Sequence, residues 1–415
     1  MSPPARGGQF SVTIVRLALD LVLQGGASMR GAAAGLALVS SRLGLDVDMP
    51  SFGAVRSWLL RLGCYALTCA LPAGNWVLLL DHTVQIGPCK LLVIVGCPLA
   101  EAPLGERPLR QSDLRLIGMS LMEHSTDAAV AAELEKARRR VGTVRQIVSD
   151  NGSDLNSGVK LFQQQNAGVA HTHDMAHQAA NVLKQRRHRD ERWSEFVSKL
   201  AQAGAKVRQT REAHLRPPTV RAKARFMNIA PTLRFAGRVL RLLDTGKASS
   251  RTQESYGWLV GYREALTNWQ SEQAVVESAL THVRRHGINQ DTAAALDAEW
   301  SKLEQTPGAR DVAARLRTAA RTEGMQAKPG EKLIASTEVL ESVFGKLKRL
   351  EGSYAGDGFT GLSLAVGAFL GEATEEQAKE ALEAVPKKES ENWVKRLLGT
   401  TVQMYRRLFV STGEA

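Results

Sequence analysis

Hydrophobic residues recur at helical spacing through the N-terminal part of the chain, between residues 10 and 70. The pattern predicts a helix over residues 12–24 and a second over about residues 29–43. Ser51 is placed to cap a third helix, because a serine side chain can accept a hydrogen bond from the first turn. Three short helices with a turn before the last are typical of a helix-turn-helix module, and an ordinary three-helix bundle gives the same pattern. We expect residues 1–72 to form this helical module.

The periodicity then changes to that of β-strands, in which side chains alternate between two faces. Strands are predicted at residues 76–83, 90–96, 114–121, 145–150 and 168–173, with helices at 127–141 and 159–165. The order βββαβαβ predicts a mixed α/β sheet, an antiparallel meander followed by strands added in parallel through right-handed crossovers. This order resembles that of the ribonuclease H fold, in which the first and fourth strands are neighbours.

Helical periodicity returns after the fifth strand. We interpret residues 175–330 as an all-helical insertion in a ribonuclease H-like catalytic domain whose first part is 73–174. A strong helix over residues 332–350 belongs to the closing part of that domain, residues 331–372. Residues 373–415 are predicted to be a C-terminal helical tail.

The composition is that of an ordinary folded protein, with 44% hydrophobic and 23% charged residues among 415. The longest apolar stretch, residues 57–80, is interrupted by Arg61, Pro72 and Asn75, so it does not meet the requirement for a membrane-spanning helix. The first residues are too polar for a signal peptide. The four cysteines lack the paired spacing of a zinc site. We therefore expect an intracellular, cytoplasmic protein without membrane partners.

Positive charge is concentrated in one segment. The chain has 54 Lys and Arg against 42 Asp and Glu, a formal net charge of +12, and residues 184–225 hold 13 basic residues against four acids. A local excess of one sign favours a surface that binds a polyanion over a merely solvated helix face, because neutralised phosphates release counterions. The residues at the start of this run are the predicted DNA contacts: Lys184, Arg186, Arg187 and Arg189.

Two aspartates, Asp81 and Asp150, end hydrophobic strands. If the first and fourth strands are neighbours, both carboxylates lie together at the centre of the sheet, where their repulsion favours a divalent cation. A third acid is expected from the helix over residues 332–350; Glu341 is the predicted ligand and Glu338, one turn earlier, is the alternative. Three such side chains can hold two Mg²⁺ ions about 3.5–4 Å apart. Taken alone, either aspartate also fits a turn or cap position.

These acids stand in motifs that resemble those of DDE-type transposases of bacterial insertion sequences. The matching segments are Leu-Leu-Leu-Asp81-His-Thr, Val-Ser-Asp150-Asn-Gly-Ser and residues 338–348, which contain the spacing Glu-x2-Phe-x3-Lys. The resemblance covers roughly residues 76–350, including a large insertion after the fifth strand. Where the family signature has a Tyr and an Arg before the Glu, this chain has Ile334 and Thr337.

The resemblance implies a DNA transposase, an endonuclease and polynucleotidyl transferase that cleaves transposon ends and joins the freed 3′-OH to target DNA. It implies that Asp81, Asp150 and Glu341 are the catalytic and metal-binding residues, with two Mg²⁺ ions as cofactor and Mn²⁺ as a substitute. Backbone phosphates would be bound by Lys346, Lys348 and Arg349. The implied partner is double-stranded DNA, bound by a homo-dimer or higher oligomer in the bacterial nucleoid.

Two other functions fit the same features. One is a non-catalytic DNA-binding protein derived from a transposase, which would keep the helical module and the basic insertion. The other is a structure-selective nuclease of the same fold, which would cut DNA without joining strands. Cleavage and joining assays distinguish all three.

Overall fold

A computed structural model describes residues 2–86, 88–219, 229–352, 360–371 and 374–399 of the chain. The chain divides into two units, which we name the sheet unit and the helical unit. The sheet unit consists of Met1–Pro103, Leu109–His171 and Thr337–Ala415, and the helical unit consists of Leu104–Pro108 and Thr172–Ser336. The end of the predicted basic run, with Arg221, Lys223 and Arg225, and parts of the predicted closing region and C-terminal tail lie outside the described residues.

The N-terminal helices of the sheet unit begin where the sequence places serine caps. They are α1 (Val12–Leu23), α2 (Met29–Leu43) and α3 (Phe52–Thr68). The side chains of Ser11, Ser28 and Ser51 each accept a hydrogen bond from a backbone N–H of the first turn, which confirms the predicted role of Ser51. Residues 44–51 join α2 to α3, a connection longer than the three or four residues of a helix-turn-helix turn.

A five-stranded mixed sheet follows, with the strand order β3-β2-β1-β4-β5. The elements are β1 (Gly74–Ile86), β2 (Cys89–Pro98), β3 (Arg115–Met122), α4 (Asp127–Val141), β4 (Gly142–Ser149), α5 (Ser153–Gln165) and β5 (Ala170–His173). Strand β1 pairs with β2 in the antiparallel sense and with β4 in the parallel sense. The predicted strand content, the order βββαβαβ and the neighbouring first and fourth strands are therefore confirmed. The mixed α/β sheet is compatible with a ribonuclease H-like fold.

One face of the sheet packs against α4 and α5. The alternate residues Trp76, Leu78 and Leu80 of β1 lie in one hydrophobic core with side chains of both helices. Because side chains of a strand alternate between its faces, the intervening residues Val77 and Leu79, which are also buried, belong to the opposite face.

Arg140, in the last turn of α4, joins β3 to the end of α3. Its guanidinium donates hydrogen bonds of 2.8–3.0 Å to four carbonyl oxygens, those of Leu116, Ile117, Ala66 and Cys69. Burial lowers the pKa of Arg140 below its usual value. The four acceptors compensate the partial burial of this charge, which would otherwise be costly.

The helical unit contains no strand among its described residues apart from the last residues of β5 and one isolated bridge. Its helices are α6 (Met175–His188), α7 (Glu191–Val207), α8 (Ala230–Asp244), α9 (Ser250–Tyr256), α10 (Arg263–His286), α11 (Thr292–Trp300) and α12 (Pro307–Gly324). Asp174 caps α6 by accepting hydrogen bonds from the N–H groups of Ala176 and His177. An aromatic cluster of Trp193, Phe196, Tyr262 and Trp269 packs between α7 and α10.

The chain returns to the sheet unit through α13 (Glu338–Gly352), a 3₁₀ segment (Gly361–Phe369), α14 (Glu375–Ala384) and α15 (Lys387–Leu398). The 3₁₀ segment approaches α3 so closely that a Cβ at Gly63 would lie 1.9 Å from the carbonyl oxygen of Leu364. Only glycine fits at this crossing.

The start of α13 corrects one prediction, because residues 332–337 are not helical. The backbone of Leu333 exchanges hydrogen bonds with Ile288, and Ala335 O accepts one from Met175 N. Thr172 Oγ1 donates to Ile334 O at 2.7 Å. These long-range bonds hold the segment extended, so that the helix begins at Glu338.

Within the described ranges, no helix combines the length and the apolar character that a membrane span requires.

Candidate active site

Asp81 lies on β1, on the face opposite α4 and α5. It follows Val77 and Leu79 at two-residue intervals, so its side chain belongs to the same face of the sheet as theirs. The residue is half-buried, and its Oδ1 accepts a hydrogen bond of 2.7 Å from the backbone N–H of His82. Strand register therefore determines the side of the sheet on which this carboxylate is presented.

Asp150 comes directly after β4, beside Asp81. The parallel pairing of β1 with β4 aligns Val77 with Gln146, Leu79 with Val148 and Leu80 with Ser149. Asp81 and Asp150 each come directly after this last pair, Asp81 within β1 and Asp150 just past the end of β4, and paired strands lie about 4.8 Å apart. The predicted juxtaposition of the two carboxylates is compatible with this register and stays a prediction.

The turn after β4 fixes the Asp150 carboxylate. Asp150 Oδ1 accepts a hydrogen bond of 2.9 Å from the backbone N–H of Gly152, an arrangement typical of aspartate in turns. A Cβ at Gly152 would lie 2.9 Å from Asp150 Oδ1 and 3.1 Å from Asp154 Oδ1. Glycine is therefore required here if Asp150 is to keep its orientation.

A polar cluster supports the ends of these strands. Lys90 Nζ on β2 donates to Asp154 Oδ2 at 2.7 Å, and the same oxygen lies 3.9 Å from His82 Nδ1. His82 Nε2 lies 3.1 Å from Ser125 Oγ. The cluster links β1, β2 and the first turn of α5 around the two aspartates.

The charges of this cluster are set by burial and by its hydrogen bonds. Burial raises the pKa of Asp154, but hydrogen bonds from Lys90 and Ser125 outweigh it and lower that pKa to about 2. Burial lowers the pKa of His82. The negative charge of Asp154 raises this pKa, but by less than burial lowers it. Near neutral pH, Asp154 is therefore ionised and the imidazole of His82 is neutral.

His171 lies on β5, the strand next to β4. The residue is buried, and its Nε2 lies 2.8 Å from the hydroxyl oxygen of Ser149, the residue before Asp150. This contact joins β5 to the end of β4, next to Asp150.

The predicted third ligand is placed differently from the two aspartates. Glu341 is exposed in the first turn of α13, and Glu338, at the first position of that helix, is half-buried. Among the residues that the structure describes, no group of three His, Cys, Asp or Glu side chains is arranged to hold a metal ion. The set of three ligands, with Glu341 or Glu338 as its third member, therefore stays a prediction.

The two aspartates have the donor chemistry that Mg²⁺ requires, since hard divalent cations prefer carboxylate oxygens. Each carboxylate has one oxygen held by a backbone N–H, which limits its rotation without removing its charge. A site built on this pair fits a hard divalent cation better than zinc, which prefers His and Cys ligands.

The signature positions before the third acid are not on the helix. Ile334 is buried in the extended segment, and Thr337 accepts hydrogen bonds from Leu340 N and Glu341 N at the start of α13. Neither residue can supply the contacts of the Tyr and Arg that the family has there. The resemblance is therefore confined to the acids and the basic residues that follow.

The predicted phosphate-binding residues of α13 are accessible to different extents. Lys348 and Arg349 are exposed, whereas Lys346 is half-buried and donates to Gln111 Oε1 at 2.5 Å. Burial and the nearby charge of Arg349 lower the pKa of Lys346.

The basic run of the helical unit separates into exposed and buried arginines. Lys184 and Arg189 are exposed. Arg187 is only 2% exposed, and its Nη2 lies 2.6 Å from Oε2 of the fully buried Glu272. Arg186 is half-buried between Glu272 and Asp311, at 2.7 and 2.6 Å.

These ion pairs correct the prediction for two of the four residues. The guanidinium of Arg187 also stacks on Trp193 and Trp269, with its Cζ 5.0 and 5.6 Å from the two ring centres. Arg187 is therefore a core residue and cannot contact a DNA phosphate in this structure. Arg186 is likewise occupied by two carboxylates, which leaves Lys184 and Arg189 as the accessible members of the predicted set.

Sequence reasoning overlooked a second basic surface, which we name the α8 stripe: Arg234, Arg238 and Arg241. All three are exposed, and they line a cavity of about 350 Å³ between α8 and α10. Arg234 pairs with Glu277 on α10 at 2.8 Å. Their spacing of four and three residues is the signal that could have revealed the stripe, because it places all three on one helix face.

No family model matches this sequence, and neither does any curated protein sequence. Among solved structures, the chain is similar to one described as the Drosophila P element transposase strand transfer complex, with a TM-score of 0.38 and 12% sequence identity. The similarity covers 90% of this chain and 92% of that chain. At this level of superposition it assigns no function, which therefore rests on the residues of this chain.

Proposed function

We propose that this protein is a DDE-type DNA transposase of the insertion-sequence kind, which cleaves transposon ends and transfers the 3′-OH strand into target DNA. The observation that supports the proposal is the parallel register of β1 and β4, which pairs Leu80 with Ser149, the residues directly before Asp81 and Asp150. Carboxylates on neighbouring strands repel each other when both are ionised, and a divalent cation relieves that repulsion. The sequence motifs around both residues resemble those of the same enzymes.

In this proposal Asp81 and Asp150 hold Mg²⁺, with Glu341 as the third ligand and Glu338 as its alternative. When bound, two such ions would activate the attacking oxygen and stabilise the leaving oxygen of an in-line phosphoryl transfer. The protein's own contribution is orientation: the bonds from His82 N and Gly152 N hold one oxygen of each aspartate in place. Lys348 and Arg349 on α13, with Lys184 and Arg189 of the helical unit, would bind the DNA backbone.

The test is a nicking and strand-transfer assay with Mg²⁺ or Mn²⁺ and labelled duplexes that carry the sequences flanking the gene. Asp81→Asn and Asp150→Asn should each reduce nicking by about a thousandfold or more, because metal stabilisation of the transition state contributes several kcal/mol. DNA binding without metal should remain, since neither change removes a positive charge. Asp46→Asn, an exposed aspartate between α2 and α3, is the matched control.

The assay also separates the alternatives. Loss of joined products in Glu341→Gln but not in Glu338→Gln would assign the third ligand to Glu341, and the reverse would assign it to Glu338. Nicks without joined products from the unmodified protein would identify a nuclease. Unchanged nicking in Asp81→Asn would contradict the proposed site, and binding to the correct ends without any metal-dependent cut would identify a non-catalytic DNA-binding protein.

A further inference from the structure

A cavity of about 630 Å³ lies within the sheet unit; its lining includes Glu338, the alternative third ligand, but not Asp81, Asp150 or Glu341. It is formed by α1, by the segment that precedes β3, and by α13. Three basic side chains from these separate parts of the chain line it: Arg16, Arg110 and Lys346. Of the described lining residues, Glu338 is the one acid.

Two of the basic side chains around this cavity, Lys346 and Arg16, are only partly satisfied by the residues that the structure describes. Lys346 Nζ donates to an uncharged acceptor, Gln111 Oε1. Arg16 pairs through Nη2 with Asp20, but its Nη1 is buried and has no hydrogen-bond partner among the residues described. A buried guanidinium nitrogen without an acceptor is unfavourable, so an anion that reached it would be stabilised.

Positive charge continues along α13 beyond the cavity. Arg349 lies three residues after Lys346, on the same side of the helix. Its guanidinium lies near the end of α1, with Cζ 3.6 Å from where a Cβ on Gly26 would be. Arg16, Arg110 and Lys346 around the cavity and Arg349 beyond it are thus four basic groups, more than one isolated anion would need.

We propose that these four basic residues bind successive backbone phosphates of duplex DNA. We name the four residues, together with the space that Arg16, Arg110 and Lys346 line, the α1–α13 basic cavity. The proposal rests on the proposed function for the identity of the partner, and it adds Arg16 and Arg110 to the DNA-contacting residues. A phosphodiester backbone supplies the spaced negative charges that a row of cations matches, whereas a free phosphate would use only part of it. Glu338 opposes this binding electrostatically.

The test measures the affinity for a short labelled duplex by fluorescence anisotropy, without metal and over a salt titration. Arg110→Glu should weaken binding about tenfold, and Arg110→Ala should lower the slope of log K against log salt by about one. Glu338→Gln should strengthen binding about twofold to threefold, because it removes a repulsive charge. Arg110 is exposed, so these variants should fold normally, and Arg110→Lys should retain most of the affinity.

The matched control is Arg139→Ala, an exposed arginine of α4 that pairs with Glu135 on its own helix. Its affinity and salt slope should equal those of the unmodified protein. Equal losses in Arg139→Ala and Arg110→Ala would overturn the proposal, because only net charge would then matter. Competition by inorganic phosphate at Arg110 without any effect of the Arg110 variants on duplex binding would also overturn it.

The two proposals fail separately. If Arg110→Glu weakens duplex binding while the unmodified protein never nicks DNA, the cavity stands and the transposase proposal falls. If the unmodified protein nicks and joins DNA while Arg16→Ala and Arg110→Glu bind the duplex normally, the cavity proposal alone is overturned.

Discussion

The sheet unit and the helical unit use charged residues in opposite ways. In the sheet unit, Asp81 and Asp150 directly follow Leu80 and Ser149, which are paired between the parallel strands β1 and β4. In the helical unit, Arg186 and Arg187 are drawn inward by carboxylates from α10 and α12. The comparison teaches that the neighbours of a strand can be inferred from sequence, whereas the partner of a helical charge cannot.

The largest expected effect tests the buried ion pair between Arg187 and Glu272 in the helical unit. Glu272→Gln should reduce the free energy of unfolding by about 3 kcal/mol or more, because it leaves Arg187 charged and buried without its partner. Chemical denaturation of the whole protein, followed by tryptophan fluorescence, measures the change, since Arg187 stacks on Trp193 and Trp269.

Glu277→Gln provides the control for that measurement. Glu277 pairs with Arg234 at the surface of the same unit, and an exposed pair contributes about 1 kcal/mol at most. Equal stability of the two variants would mean that Arg187 does not depend on Glu272, and the proposed contrast between the units would be wrong.

A smaller effect is expected at the turn that orients Asp150. Gly152→Ala should reduce metal-dependent nicking about tenfold, because the added Cβ would approach Asp150 Oδ1 to 2.9 Å and displace it. The measurement is the nicking assay, with the thermal unfolding of both proteins recorded in parallel. Gly345→Ala is the control, since a Cβ at this position of α13 meets nothing within 4 Å among the described residues. Equal activity of the two variants would show that the turn does not position Asp150.

The smallest expected effect concerns pH. The pKa of Asp154 is lowered from 3.8 to about 2, so its ion pair stabilises the folded state above about pH 4. That contribution is lost as the pH falls through about 2, because the folded state then also binds the proton. Asp154→Asn should therefore flatten the loss of stability between about pH 4 and pH 2, by about 1 kcal/mol or less since the pair is partly solvated. Urea midpoints over this range measure it; an unchanged slope, with Asp46→Asn as reference, would exclude Asp154 as the titrating group.

Local signals account for what could be predicted. The period of two and the polar residues that end each strand predicted β1 and β4, and the strand order then implied that they are neighbours. Short-range caps such as Ser51 were also visible, because the donor lies within the next turn. The roles of Asp81 and Asp150 as metal ligands stay a prediction from their positions on these strands.

Long-range contacts account for what could not be predicted. The helical pattern of residues 332–337 is overridden by backbone bonds to Ile288 and Met175, which are distant in sequence. Glu272 and Asp311 lie 86 and 125 residues from Arg186, so nothing near the basic run showed that it would be neutralised. The cavity residues Arg16 and Arg110 are also distant in sequence from α13, and no motif in the sequence indicated that they would lie near Lys346.

The four carbonyl bonds of Arg140 have a mechanical consequence. The guanidinium donates to carbonyl oxygens both before and after residue 72 in the sequence, where the predicted N-terminal module ends. The end of helix α3 is therefore held against the edge strand β3 by hydrogen bonds through Arg140. A force applied to α3 would therefore act on β3 through Arg140. A truncated chain that began at residue 73 would lack Ala66 O and Cys69 O, two of the four acceptors of the partly buried Arg140 guanidinium.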